Sequence, residues 1–551
     1  VNIASRLTQN AKKTPDKRAV VFPKFNMRTG KYDYSSLTFK ELDILSNKFA
    51  LQLSKLGLKK GDKTLLFLRP NLDFSAMAFA LFKLGVVPVF IDPGMGKKNL
   101  LKCIKESSPV ALIAEKEIHL IKLFYKDAFK SVRMNVTNGS FTFGKMISIA
   151  KMKKEKIQGF NSIHFDPEDT AAILFTSGGT GTPKGVVYTH RIFDQQTSML
   201  QDLYQLTNND IDMPGFPLFS LFTIAMGMTS CIPDMDPTKP GSCDPKKLVQ
   251  NIKDQKPTFV AGSPAIWERV ADYCIEQGIT LPTIKYVVMF GAPVSVRLHR
   301  KFRPLLPNGT TYTPYGATEA LPVSNVSGEF VLKNTAQLSD EGFGTCIGKP
   351  APGVEIKIIK VSNDVIPRFS NDLEVPVLEV GEIIVKGPTA TREYLNLPKQ
   401  TAEAKIYESE DTNGSFWHRM GDLGFIDRAG LLWFCGRKSH MVVGATHNYY
   451  PIPIEAIFNK HPAVKRSALV GLGTAGNQTP VIVIERKDGQ YLSGKGRSIF
   501  ESELLAVAKK YPHTKDIQKI YLSKAMPVDV RHNIKIDRLK LKAEIEHHEI
   551  N

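Results

Sequence analysis

The sequence predicts an α/β protein: a large N-terminal domain of layered, largely parallel sheets, a barrel-like β subdomain, and a small C-terminal α+β domain. Three observations predict it. Helical and strand-like segments alternate through the first part of the chain. From Gly342 to Asp427 the texture changes to short strands with Gly and Pro turns. The stretch after Arg437 is long enough for one more small domain. Taken in order, Phe39 to Leu56 places Leu42, Leu45, Phe49, Leu53 and Leu56 at helical spacing and stops at Gly57, and Asp73 to Leu84 repeats the pattern before Gly85. The apolar runs Thr64 to Leu68 and Val86 to Ile91 read as buried strands. So do Ala171 to Phe175 and Tyr286 to Phe290, and Ile192 to Leu206 is a further amphipathic helix. In the later region Val354 to Lys360, Glu382 to Val385 and Leu432 to Cys435 are short strands suited to antiparallel pairing. The expected division is 1–436 and 437–551.

Composition narrows the class. With 551 residues, 42% hydrophobic and 9% aromatic, the chain is an ordinary globular protein too long for one core. Its most apolar segment, Ala76 to Ile91, is broken by Lys83, Gly85 and Pro88 and is too short to cross a bilayer. No apolar core with a small-residue cleavage site opens the sequence, so no secretory signal is expected. The six cysteines lie far apart without C-x-x-C spacing, which predicts neither a disulfide framework nor a zinc site and fits a reducing cytoplasm. The 12 histidines form no H-E-x-x-H pattern. The net charge of +19 comes from scattered lysines, apart from the cluster Lys151, Lys153, Lys154 and Lys156, and no nucleic-acid-binding motif accompanies it. It predicts attraction of anionic substrates, with contact to an anionic membrane surface as a second option.

The strongest chemical signal is the loop Thr176-Ser177-Gly178-Gly179-Thr180-Gly181-Thr182-Pro183-Lys184, which follows the strand Ala171 to Phe175. Glycines let backbone N–H groups approach oxyanions, hydroxyls add donors, and Lys184 adds a fixed charge, so the loop is a phosphate cradle. It is not a Walker A loop. That motif opens a helix with G-K-[ST], whereas Lys184 sits between Pro183 and Gly185 and leads into a strand, Val186 to Thr189.

This loop resembles the phosphate loop of the adenylate-forming superfamily of acyl-CoA ligases, luciferases and adenylation domains, and the superfamily's other motifs follow in order. Tyr312-Thr313-Pro314-Tyr315-Gly316-Ala317-Thr318-Glu319 is similar to its second nucleotide motif, and Gly291-Ala292-Pro293 to its adenine-edge loop. Gly381 to Pro388, Trp417 to Gly424 and Gly436-Arg437 match further elements. The resemblance implies ATP and Mg²⁺ as cofactors. It implies that Tyr315 packs on adenine, Thr318 contacts the α-phosphate, Glu319 holds the metal, and Asp422 and Arg437 take the ribose. It also makes the C-terminal domain a mobile lid hinged at Ser439, with Lys535 of the Lys535-x-x-Arg538 pattern as its catalytic cation. In the shared reaction a carboxylate attacks the α-phosphorus of ATP to give an acyl-adenylate and pyrophosphate. The cations Lys184 and Lys535, the Thr318 hydroxyl and Mg²⁺ on Glu319 stabilise the charge.

The fate of the adenylate depends on departures from the coenzyme A ligases. Their lid aspartate corresponds to His440, their thiol-tunnel glycine to Thr446, and a glutamate two residues before Glu455 to Pro453. A side chain where a thiol must pass is an obstacle. The segments Phe216 to Phe222 and Cys231 to Pro237, and Arg531-His532-Asn533 with Lys535, resemble the β-lactone synthetases of bacterial long-chain olefin biosynthesis. That branch implies a 2-alkyl-3-hydroxy fatty acid whose own β-hydroxyl closes the ring, and other olefin-biosynthesis enzymes as partners. A medium- or long-chain acyl-CoA ligase is the alternative. Phe216 to Met228 lines an alkyl groove or packs into the core, and His190 and His532 are candidate bases.

Overall fold

The computed structural model describes residues 2–139, 142, 144–154, 160, 163, 165–176, 182–490, 492–528, 535–547 and 550. Among them the strands form a fourteen-stranded sheet, a seven-stranded sheet, a three-stranded sheet and a two-stranded hairpin. In the seven-stranded sheet Lys63–Phe67 lies parallel to Val87–Phe90 and Ala111–Ala114, and Thr170–Thr176 continues it in parallel beside Val87–Phe90. Lys184–Thr189 then closes it antiparallel, so the phosphate-loop strand and its successor form an edge hairpin.

The helix Phe39–Lys55 begins at a capping box, with Thr38 accepting from the Glu41 backbone and Glu41 reaching back to Thr38. The helix Leu72–Leu84 is capped by the Asn71 side chain and ends at Gly85, which takes the left-handed φ of 68°. It departs from the expected one-faced pattern: every residue from Phe74 to Leu84 is buried. It packs in one core with Val20 of the large sheet and Leu66 and Ala111 of the second, and a helix covered on all sides needs no polar face. Its one buried charge, Lys83, is paired with Asp43 at 2.6 Å and also donates to Ser46 and Asn47.

The large sheet is parallel through Ile211–Pro214, Phe259–Gly262, Tyr286–Met289 and Thr310–Ala317. At Ala320–Ser327 it turns antiparallel and runs on through Thr345–Pro350, Leu432–Arg437, Phe416–Ile426, Gly381–Lys386 and Glu355–Ile359. These are the short strands expected after Gly342. They extend the large sheet, and their hydrogen-bonded order does not close on itself among the described residues. Beyond Arg437, Val464–Leu472 and Thr479–Arg486 pair antiparallel, Ile520–Ser523 joins in parallel, and the helices Pro451–Phe458, Gly494–Ala508 and Arg538–Glu546 accompany them.

Candidate active site

The antiparallel register assembles the centre of the site. Asp422 and Arg437 are directly paired residues on neighbouring strands, so carboxylate and guanidinium meet side by side, Arg437 Nη1 donating to Asp422 Oδ1 at 2.7 Å. Tyr315, near the end of the strand Thr310–Ala317, donates its hydroxyl to the other carboxylate oxygen at 2.7 Å. Burial and that neighbouring carboxylate hold the Tyr315 phenol far above its ordinary range, so it is a fixed donor. Asp422 follows Gly421 at φ 67°, and Arg437 follows Gly436, where an added Cβ would come within 2.4 Å of Pro451.

A second cluster surrounds Glu319. The Tyr394 hydroxyl donates to Glu319 Oε1 at 2.8 Å, and Thr391 donates to the Glu319 carbonyl through its backbone N–H at 2.8 Å and its hydroxyl at 3.2 Å. The Lys184 ammonium lies 4.9 Å from the centre of the Tyr394 ring. The Tyr188 hydroxyl donates to the Thr318 carbonyl. Both clusters open on one cleft of about 2400 Å³. Thr176, Lys184, Gly291, Ala292, Pro293, Tyr315, Gly316, Thr318, Glu319, Asp422, Arg437 and Lys535 all line it. Thr176 and Lys184 are paired residues that close the base of the phosphate loop. Ser177, Gly178, Gly179, Thr180 and Gly181 lie outside the described residues, as do Arg531, His532 and Asn533.

On the C-terminal side, Arg538 Nη2 pairs with the buried Glu455 Oε1 at 2.5 Å, and its Nη1 lies 3.4 Å from His440 Nδ1. Burial and the Arg538 and Arg437 charges push His440 down to about 4, so it is a neutral imidazole at pH 7. Ser439, in the turn Lys438–His440, faces the cleft. Thr446 sits exposed beside the hairpin strand Asn448–Tyr449, away from the cleft lining.

Another part of the lining is aromatic. Phe216, Leu218, Phe219, Leu221 and Phe222 line the cleft, while Thr223, Ile224 and Ala225 of the same helix are buried behind it. Phe219 stacks on Phe290 at 4.6 Å, and behind that pair a small apolar cavity reaches Met226 and Met228. The segment therefore contributes both to the cleft lining and to the core. One expectation fails: His190 is not a candidate base. Its ring is buried against Phe165 and Phe82, outside the cleft lining, because it starts the helix His190–Tyr204 on the core side.

Sequence reasoning missed Tyr188, Thr391, Tyr394, Lys405 and His418. Tyr394 lies six residues beyond the Gly381 to Pro388 element, and that proximity is the sequence signal that points to it. Lys405 and His418 are paired residues on adjacent strands, both buried, and their ring-to-ammonium distance is 3.0 Å.

A cleft lined by a fixed carboxylate–guanidinium pair, and near it by a second carboxylate with a lysine, is suited to hold a nucleotide by its ribose and its phosphates. Comparison with known proteins agrees: residues 7–395 match the AMP-binding enzyme family, and the chain belongs to that family of ATP-dependent adenylate-forming ligases. Over 98% of its length it is 39% identical to an olefin beta-lactone synthetase of Xanthomonas campestris pv. campestris, of which 96% is covered. It is equally 39% identical, over 98% of its length and 97% of the relative, to an olefin beta-lactone synthetase of Stenotrophomonas maltophilia. Solved structures share the fold: an amide bond synthetase from Marinactinospora thermotolerans has a TM-score of 0.79 at 19% identity, covering 98% of this chain and 99% of that one. The O-succinylbenzoate coenzyme A synthetase of Bacillus subtilis, in complex with ATP and magnesium ion, has a TM-score of 0.74 at 21% identity, with 98% and 99% covered.

Proposed function

We propose that this chain is an olefin β-lactone synthetase, acting on a 2-alkyl-3-hydroxy fatty acid with ATP. The observation that carries the reading is the identity to olefin beta-lactone synthetases along essentially the whole chain. The aromatic acyl wall and the two charged clusters of the cleft support it.

In this reading Asp422 accepts from the ribose hydroxyls while Arg437 and the Tyr315 hydroxyl hold its carboxylate in place. Gly291, Ala292, Pro293, Tyr315 and Gly316 frame the adenine. Lys184, with Thr176 through Gly181, takes the outer phosphates, and Thr318 takes the inner one. Glu319 fits a hard divalent cation: Tyr394 fixes Oε1, and Oε2 has no hydrogen-bond partner among the described residues. A magnesium ion bound there would offset triphosphate charge. Lys535, on the lid, neutralises the approach of the acid's carboxylate to the α-phosphorus. The carboxylate oxygen bonds to that phosphorus as its bond to the bridging oxygen breaks, and pyrophosphate leaves. The β-hydroxyl oxygen then bonds to the acyl carbon, the acyl–phosphate bond breaks, AMP leaves, and the hydroxyl proton passes to bulk water. Both reacting groups belong to one molecule, so proximity assists closure. The division at residues 436 and 437, the motion of the C-terminal part about Ser439, a cytoplasmic location and assembly with other olefin-biosynthesis enzymes belong to the same proposal.

The test is incubation with ATP, Mg²⁺ and a 2-alkyl-3-hydroxy acid without coenzyme A. Stoichiometric AMP and β-lactone are expected. An absolute requirement for coenzyme A, with a thioester as product, would replace this reading by an acyl-CoA ligase.

A further inference from the structure

Beneath Glu319 lies a charge that the reaction above does not use. Lys405 is only 1% exposed and has no carboxylate within ion-pairing distance among the described residues. Its ammonium instead donates to the Thr391 carbonyl, lies 3.0 Å from His418 Nδ1, and sits 5.1 Å from the centre of the Phe416 ring. Lone buried cations are costly, and a chain keeps one where another element needs it.

Its position shows what that element is. Thr391, held from below by Lys405, gives two hydrogen bonds to the Glu319 backbone. Three residues on, Tyr394 fixes the Glu319 carboxylate and carries Lys184 over its ring. Glu319 also attracts Lys405 through space. Burial holds Lys405 down to about 7, and burial with the Lys405 charge beside it holds His418 well below its usual range, so His418 is the neutral partner and the pair carries no more than the one charge of Lys405. His418, unlike Lys405, reaches the cleft lining.

We propose that Lys405, backed by His418, is a positioning residue: it braces the Thr391–Tyr394 segment that aims Glu319 and Lys184 at the outer phosphates, and so makes the site prefer ATP to AMP. This rests on the reading that the triphosphate lies between Lys184 and Glu319.

The experiment measures equilibrium binding of ATP and of AMP by calorimetry across a Mg²⁺ series, with no acid present, so lactone formation plays no part. Lys405→Met should weaken ATP by about tenfold or more, the scale of one lost charged hydrogen bond, while AMP changes by less than about twofold. It should also raise the Mg²⁺ concentration needed for ATP binding. The melting temperature should not fall, because an apolar chain of similar length replaces a buried cation. If Lys405→Met yields no soluble protein, Lys405→Gln is read in the same way. Glu319→Gln and Tyr394→Phe are run beside it and should show the same selective loss of ATP. Equal losses of ATP and AMP, or a selective loss in those two variants but not at Lys405, overturn the brace. A selective loss in none of them overturns the orientation of the nucleotide and the brace together.

Discussion

The two walls of the cleft are built on opposite principles. On the charged wall the carboxylates are tied in place: Asp422 takes one bond from Arg437 and one from Tyr315, and Glu319 is held by Tyr394 and Thr391. The aromatic wall, from Phe216 to Phe222 with Phe290, has rings in place of charges, and a soft lining of Met226 and Met228 lies behind it. The difference teaches where precision is needed. Reacting phosphates must be held to a fraction of an ångström, and cross-strand pairs do that at little entropic cost. Alkyl chains need only dry, deformable surface, which aromatic rings and methionines provide.

Single substitutions on each wall separate the two. The largest effect is expected at Lys535, which lines the cleft from the C-terminal side. Lys535→Ala should slow adenylation by about 10²–10³-fold, as removal of one transition-state donor does, with ATP binding little changed. Pyrophosphate release at the wild-type rate would sink the assignment. Next comes Asp422→Ala, which deletes the proposed ribose acceptor and leaves Arg437 and Tyr315 without their shared partner. The KM for ATP should rise about 10–100-fold with the KM for the acid unaffected, a loss of about 1.5–3 kcal/mol. Steady-state kinetics with each substrate varied will show whether the two walls are independent.

Phe219→Ala probes the other wall and should do the converse. The KM for long-chain acids should rise by about tenfold, within the range for one lost apolar contact, and the KM for ATP should stay. A change in the ATP parameter alone would mean that Phe219 serves the nucleotide side through Phe290.

The smallest effect is on stability. Asp212 is fully buried beneath the acyl helix, with one bond from Thr223 and a second oxygen unpartnered, and burial pushes its carboxyl up to about 7. Between the ordinary carboxylate value and about 7 the folded chain holds a proton that the unfolded chain has released. Stability is therefore greatest at the acid end of that window and falls as pH rises through it. Asp212→Asn should remove this slope and be the more stable protein above pH 7, by about 1 kcal/mol or more. Parallel melting curves at pH 5 and pH 8 test it; a variant less stable by the same amount at both would rule out the titration.

How much of this was legible beforehand follows the same division. The candidate site residues Tyr315, Thr318, Glu319, Asp422 and Arg437 sit in short motifs of distinctive composition, and the structure gathers them on one cleft. The strand Ala171 to Phe175 and the helix Phe39 to Leu56 were readable from periodicity and stop signals, and they match Thr170–Thr176 and Phe39–Lys55 closely. The helix Leu72–Leu84 was found but its surroundings were not, since period alone does not tell one covered face from two. His190 was misread for the same reason: a histidine after a phosphate-loop strand gives no sign of which side its ring takes.

The sequence by itself determined the elements, the order of the motifs and the chemistry of the side chains, because backbone propensity, turn residues and functional groups are local properties. The tertiary structure alone decided that Arg437 meets Asp422 across two strands, that Tyr394 and Thr391 hold Glu319 from a distant loop, and that Lys405 lies buried below them. Those facts depend on strand register and on which surfaces are removed from water. Both are set by the packing of the whole chain and by no single stretch of it.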